Sequence, residues 1–116
     1  MRFDAVSLFP EMFDAVLDHG ITRRAWDRGL FRFKGWNPRD FTEDAHRTVD
    51  DRPYGGGPGM LMLAEPLERA LAAVESELAE ESLPLWVVHF SPRGAPLTHD
   101  RVMAFKTKPA LTLLCG

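Results

Sequence analysis

Three short apolar runs, each separated from the next by helix-forming sequence, constrain the fold of this chain more than any other feature. They are Arg2–Phe9, ended by Pro10, then Leu83–Phe90, then Leu111–Cys115. Each has strand length and none alternates cleanly between apolar and polar, the pattern of strands buried on both faces. Trp86, inside the second run, is expected in the core. After the first run, Pro10 sits where a helix can start without its missing N–H, and Glu11 suits the positive helix end. Met12, Phe13, Val16 and Leu17 then share one face, with Gly20 as the C-cap. Ile21–Gly29 predicts a second short helix with Thr22 as N-cap. Glu65-Pro66 opens the clearest helix, with Leu67, Leu71, Val74 and Leu78 on one side and Glu68, Glu75 and Glu81 on the other. Thr98–Lys106 predicts a weaker helix capped by Thr98. Buried strands alternating with helices predict an α/β fold, a largely parallel sheet with flanking helices. Ligands in such sheets bind beyond the carboxyl ends of the strands, which here means His89–Gly94 and whatever follows Cys115.

Composition narrows the class. A chain of 116 residues fits one domain or a large piece of one. No apolar run reaches the roughly 18 residues a bilayer span needs, and the N-terminus has no apolar signal region, so a cytoplasmic location without membrane attachment is expected. Cys115 is the only cysteine, which excludes an internal disulfide framework and a cysteine-rich zinc site. His46 with Asp44, Asp50 or Asp51 lacks helical ligand spacing, and no metal is expected. The net charge of -3 argues against a globally basic nucleic-acid binder. Yet Arg23, Arg24, Arg28, Arg32, Lys34, Arg39, Arg47 and Arg52 fall close together, while Glu65–Glu81 is acidic. That segregation admits two solvated faces of opposite sign, or a local phosphate-facing patch. Leu30–Trp36 fits either, since Phe31, Arg32, Phe33 and Lys34 alternate with a period of two.

Between Arg39 and Met62 no period is visible, and long irregular stretches in compact domains are usually functional or disordered. The core of this stretch is Arg47-Thr48-Val49-Asp50-Asp51-Arg52-Pro53-Tyr54-Gly55-Gly56-Gly57-Pro58-Gly59-Met60-Leu61-Met62. It is not a P-loop, because no Lys-Ser or Lys-Thr follows Gly59, and no strand leads into a dinucleotide fingerprint. Glycines let a ligand approach the backbone, and a carboxylate such as Asp50 can accept the N1–H and N2–H of a guanine edge. A flexible connector and a binding loop are the two readings of this composition.

Ser7-Leu8-Phe9-Pro10-Glu11-Met12-Phe13, Arg39-Asp40-Phe41, the segment Arg47–Met62 and Ser91-Pro92-Arg93-Gly94 occur in an order and spacing that resemble the bacterial tRNA (guanine-N1)-methyltransferases, members of the knotted SPOUT class. The resemblance covers essentially the whole chain. It implies methyl transfer from S-adenosylmethionine to N1 of guanosine 37 in tRNA, just 3′ of the anticodon, by a homodimer with its active site between subunits. By the same match His89, Phe90, Ser91 and Pro92 are expected to form one wall of the cofactor pocket, and Gly116 to begin the next. Asp50, Gly55, Pro58 and Gly59 are expected on the guanosine-binding surface. The family's general base, an Asp, and the Arg that orients it fall beyond Gly116. The resemblance therefore implies that residues 1–116 are the N-terminal part of the methyltransferase domain, without a catalytic residue, cut at the cofactor loop before the knot and the C-terminal domain. The alternative is a non-catalytic module that binds RNA or pairs with a full-length subunit.

Overall fold

The computed structural model of the protein describes residues 1–42, 50–51, 61–62 and 64–115. Four strands, β1 (Arg2–Val6), β2 (Arg32–Trp36), β5 (Val87–His89) and β6 (Ala110–Leu114), form one sheet in the order β2-β1-β6-β5, and every pairing is parallel. The parallel α/β expectation is met, with the first and last strands at the centre. Two short strands, β3 (Asp50–Asp51) and β4 (Leu61–Met62), pair antiparallel outside this sheet.

Register fixes which side chains share a face. Asp4 lies beside Lys34 and Thr112, and Val6 beside Trp36 and Leu114. This first face is covered by helix α3 (Ala64–Glu80). Val6, Ala110, Ala70, Val74 and Leu78 are fully buried together, and Trp36, Phe41, Leu67, Leu71 and Leu114 pack around them. The expected leucine stripe of α3 is therefore the core stripe, with Ala70 added.

Charge follows the same face. Arg2 is only 7% exposed and Asp4 not at all. The Arg2 guanidinium pairs with Asp4 at 2.9 Å and also meets Glu77 and Glu81 of the helix end. Arg32 reaches Glu81 and Lys34 reaches Glu77, both at 2.7 Å, and the Trp36 indole N–H donates to Asp4 at 2.8 Å. Neither reading of the segregated charges holds for these residues. The cationic side of β2 and the acidic end of α3 are complementary surfaces that neutralise each other. Lys34 and Arg32, ahead of Arg2 in each case, hold the Glu77 and Glu81 carboxyls below their usual range.

On the second face, the β1–β2 half is covered. A 3-10 turn (Pro10–Phe13) leads into helix α1 (Asp14–Leu17), followed by helix α2 (Gly20–Asp27). Phe13 packs on Phe33, with ring centres 5.1 Å apart, and Trp26 and Phe3 both meet Phe31 edge-on. Pro10 lies so close to β2 that a Cβ on Gly35 would come within 2.7 Å of its Cβ, which is why the strand carries glycine there. Gly20 is not the C-cap of the first helix, a place taken by Asp18; with φ +66° it opens α2 instead. Two further local expectations fail. Thr22 is no N-cap: its hydroxyl donates to the Val16 and His19 carbonyls instead of accepting a backbone N–H. Met12 in the 3-10 turn and Val16 in α1 are 70% and 55% exposed, because no described element covers that side.

The β5–β6 half differs. The run Leu83–Phe90 yields only three residues of strand, at the sheet edge, with Val87 41% exposed. Trp86 is 46% exposed, with the Lys108 ammonium 3.8 Å from its ring centre, rather than in the core. A strand with one neighbour and no described helix on its outer side cannot bury both faces. Leu111–Cys115, by contrast, supplies central, largely buried β6.

Candidate functional site at the carboxyl edge of the sheet

Because all four strands are parallel, their carboxyl ends meet at one edge. Backbone bonds lace the segments leaving it: Ser7 N–H donates to the Trp36 carbonyl, Cys115 N–H to Val6 and Phe90 N–H to Leu114. Asn37 adds two side-chain bonds, its amide donating to the Leu8 carbonyl and its oxygen accepting from Arg39 N–H as cap of the 3-10 turn Pro38–Phe41. Burial pushes the neighbouring Cys115 thiol up, so it behaves as a small apolar group and not a nucleophile.

Past β5, Ser91 sets the course of the chain. Its hydroxyl oxygen accepts from Arg93 N–H at 3.2 Å, and its carbonyl accepts from Gly94 N–H at 3.0 Å. The turn sends residues 92–97 across to helix α4 (His99–Phe105), capped as expected by Thr98, whose hydroxyl accepts from Arg101 N–H. Loop and helix form the rim of a cleft of about 1180 Å³. Its floor is the uncovered half of the second sheet face, with Phe3, Val88, Leu111 and Leu113 in neighbouring registers. Arg101, Lys106 and Lys108 lie on its rim, and among the described residues no Asp or Glu lines it. Such a cleft suits a ligand with a flat apolar body and a negative group.

His89, Phe90, Ser91 and Pro92 all line this cleft, so the structure brings together four of the five residues expected around a cofactor. Gly116, the fifth, lies outside the described residues, as do Gly55, Pro58 and Gly59. Asp50 is placed by its backbone alone, paired with Met62, while Asp51 pairs with Leu61. The two ends of the glycine-proline segment are thereby joined side by side. Among the described residues no cluster of three or more His, Cys, Asp or Glu could hold a metal ion. No helix there is long and apolar enough to cross a membrane. The sequence reading missed the cleft floor, because Phe3, Val88, Leu111 and Leu113 come together only through strand order.

The family model of tRNA (guanine-1)-methyltransferase TrmD matches residues 1–116. The chain belongs to the TrmD family. It is 78% identical over its whole length to the tRNA (guanine-N(1)-)-methyltransferase of Thiobacillus denitrificans, covering 49% of that protein. It is 60% identical to the same enzyme of Ralstonia nicotianae, covering 44% of it. Among solved structures, the crystal structure of the tRNA (m1G37) methyltransferase from Aquifex aeolicus superposes on the whole chain with a TM-score of 0.79 at 27% identity, over 50% of that chain. The chain thus spans about half the length of the curated relatives it matches. In this TrmD-family chain the Ser91-Pro92-Arg93-Gly94 motif is the turn that shapes the mouth of the cleft.

Proposed function

We propose that this chain is part of an enzyme that methylates N1 of guanosine 37 in tRNA, using S-adenosylmethionine, in the cytoplasm. The observation that carries the reading is the family match along all of residues 1–116. The cleft supports it, since its apolar floor and its rim of Arg101, Lys106 and Lys108 fit a purine-bearing ligand with a carboxylate. Phe90 and Pro92 would offer apolar walls to the cofactor, and the Ser91 hydroxyl, which already accepts one bond, keeps its own hydrogen to donate. His89 and Gly116 complete the proposed cofactor surface. Bound there, S-adenosylmethionine supplies an electrophilic methyl group.

Guanine N1 carries a proton that must leave as the new bond forms, so a placed base lowers the barrier. No described residue is assigned that role. We place the base and the rest of the cofactor pocket, including the knot, in the half of the full-length protein outside this chain. Asp50, Gly55, Pro58 and Gly59 are proposed to form the surface that holds the guanosine. A homodimer with shared active sites fits the exposed apolar Met12 of the 3-10 turn and Val16 of α1.

The test uses the full-length protein, labelled S-adenosylmethionine and two tRNA transcripts that differ only in having guanosine or adenosine at position 37. Label should enter the first and not the second. Equal labelling of both, or of neither, would refute the reading.

A further inference from the structure

Most cations described so far are committed. Arg2, Arg32, Lys34, Arg23 and Arg69 each face carboxylates, and Lys108 sits on the Trp86 ring. Arg24 and Arg28, at the end of α2, have no carboxylate partner among the described residues, and both are exposed. Being four apart, they leave the same side of the helix with Cβ atoms about 5–6 Å apart. They border a shallow hollow of about 530 Å³ with Ile21, Ala25, Asp27 and Leu30. The one acidic group there, Asp27, is held by the Arg23 guanidinium at 3.1 Å, so the charge of the hollow is that of two free guanidiniums. Ile21 and Leu30 beside them are 83% and 61% exposed.

Uncommitted guanidiniums next to exposed apolar side chains match a sugar–phosphate backbone. The planar fork of arginine pairs with phosphate oxygens, and aliphatic groups cover ribose and base edges. We infer that α2 is an RNA-backbone contact surface, with Arg24 and Arg28 each engaging a phosphate. The surface lies at the β2 side of the sheet, whereas the cleft lies under β5 and β6, so it would hold the RNA body and not the reacting base. The inference rests on the tRNA reading above.

Its test is tRNA binding by the full-length protein, followed by fluorescence anisotropy across a salt series, for wild type, R24Q/R28Q and R24K/R28K. Losing two phosphate contacts should lower the slope of log affinity against log salt by about 1.4–1.8 and weaken binding about tenfold or more at low salt. The lysine pair should retain the slope. S-adenosylmethionine affinity and melting temperature should not move. An unchanged slope in R24Q/R28Q overturns the inference. A lowered melting temperature with unchanged slope would assign the arginines to helix-end stabilisation, and altered oligomeric state with unchanged slope to a protein interface. If wild type methylates tRNA but the slope is unmoved, only this inference falls. If wild type neither binds nor methylates tRNA, the functional reading falls with it.

Discussion

The two faces of one sheet are finished very differently. The face under α3 is closed, with Val6, Val74 and Leu78 fully buried and three cations balanced against three carboxylates around Arg2 and Asp4. The face under β5 and β6 is half open, with an apolar floor and a rim of cations. Packing is concentrated on the first face, and the second leaves a cleft open to a ligand. A residue on the first face should matter to folding whatever the ligand, and one on the second to whatever occupies the cleft.

Arg2→Met should break the comparison hardest. It leaves the Asp4 carboxylate in the core with only the Trp36 indole as partner, and removing one member of a buried ion pair costs about 3–5 kcal/mol. Chemical denaturation of the full-length protein checks it, and a loss below 1 kcal/mol would show that water reaches Asp4. Leu78→Ala against Leu97→Ala sharpens the contrast in apolar packing. The first, fully buried, should cost about 2–5 kcal/mol. The second, 69% exposed, should stay within about 0.5 kcal/mol. Similar losses would mean that Leu97 is covered in the full-length protein. The smallest effect is on pH. Glu77 and Glu81 titrate below their ordinary 4.5 when folded, so the unfolded chain takes up protons first as the medium acidifies. Their contribution is complete above that value and is lost as pH falls through the lower folded values. The melting temperature should therefore decline below about pH 4.5, and E77Q/E81Q should flatten the decline.

Much of the fold follows from local pattern. The α3 stripe, the Thr98 cap and central β6 follow from spacing that tertiary structure left in force. Trp86 and the run Leu83–Phe90 were misjudged because hydrophobicity reports a preference for burial, whereas strand order decides whether a covering element exists. The ion network around Arg2 was invisible for a related reason. Glu77 and Glu81 lie far along the chain from Arg2, and only register and helix packing show that β2 and α3 address each other. At the candidate site, His89–Pro92 could be placed by the rule that ligands gather at carboxyl ends, while the cleft floor awaited the pairing of β1, β5 and β6.

The central position of β1 sets a timetable for synthesis. β1 takes as a neighbour β6, whose register partner for Arg2 is Ala110, about a hundred residues later. At roughly 5–20 residues per second, that partner arrives many seconds after β1 is made. Until then one edge of β1 is unpaired, and Arg2 is also waiting for Glu77 and Glu81. The nascent chain must therefore keep an apolar strand out of wrong pairings while about a hundred further residues are made, a task suited to holding chaperones.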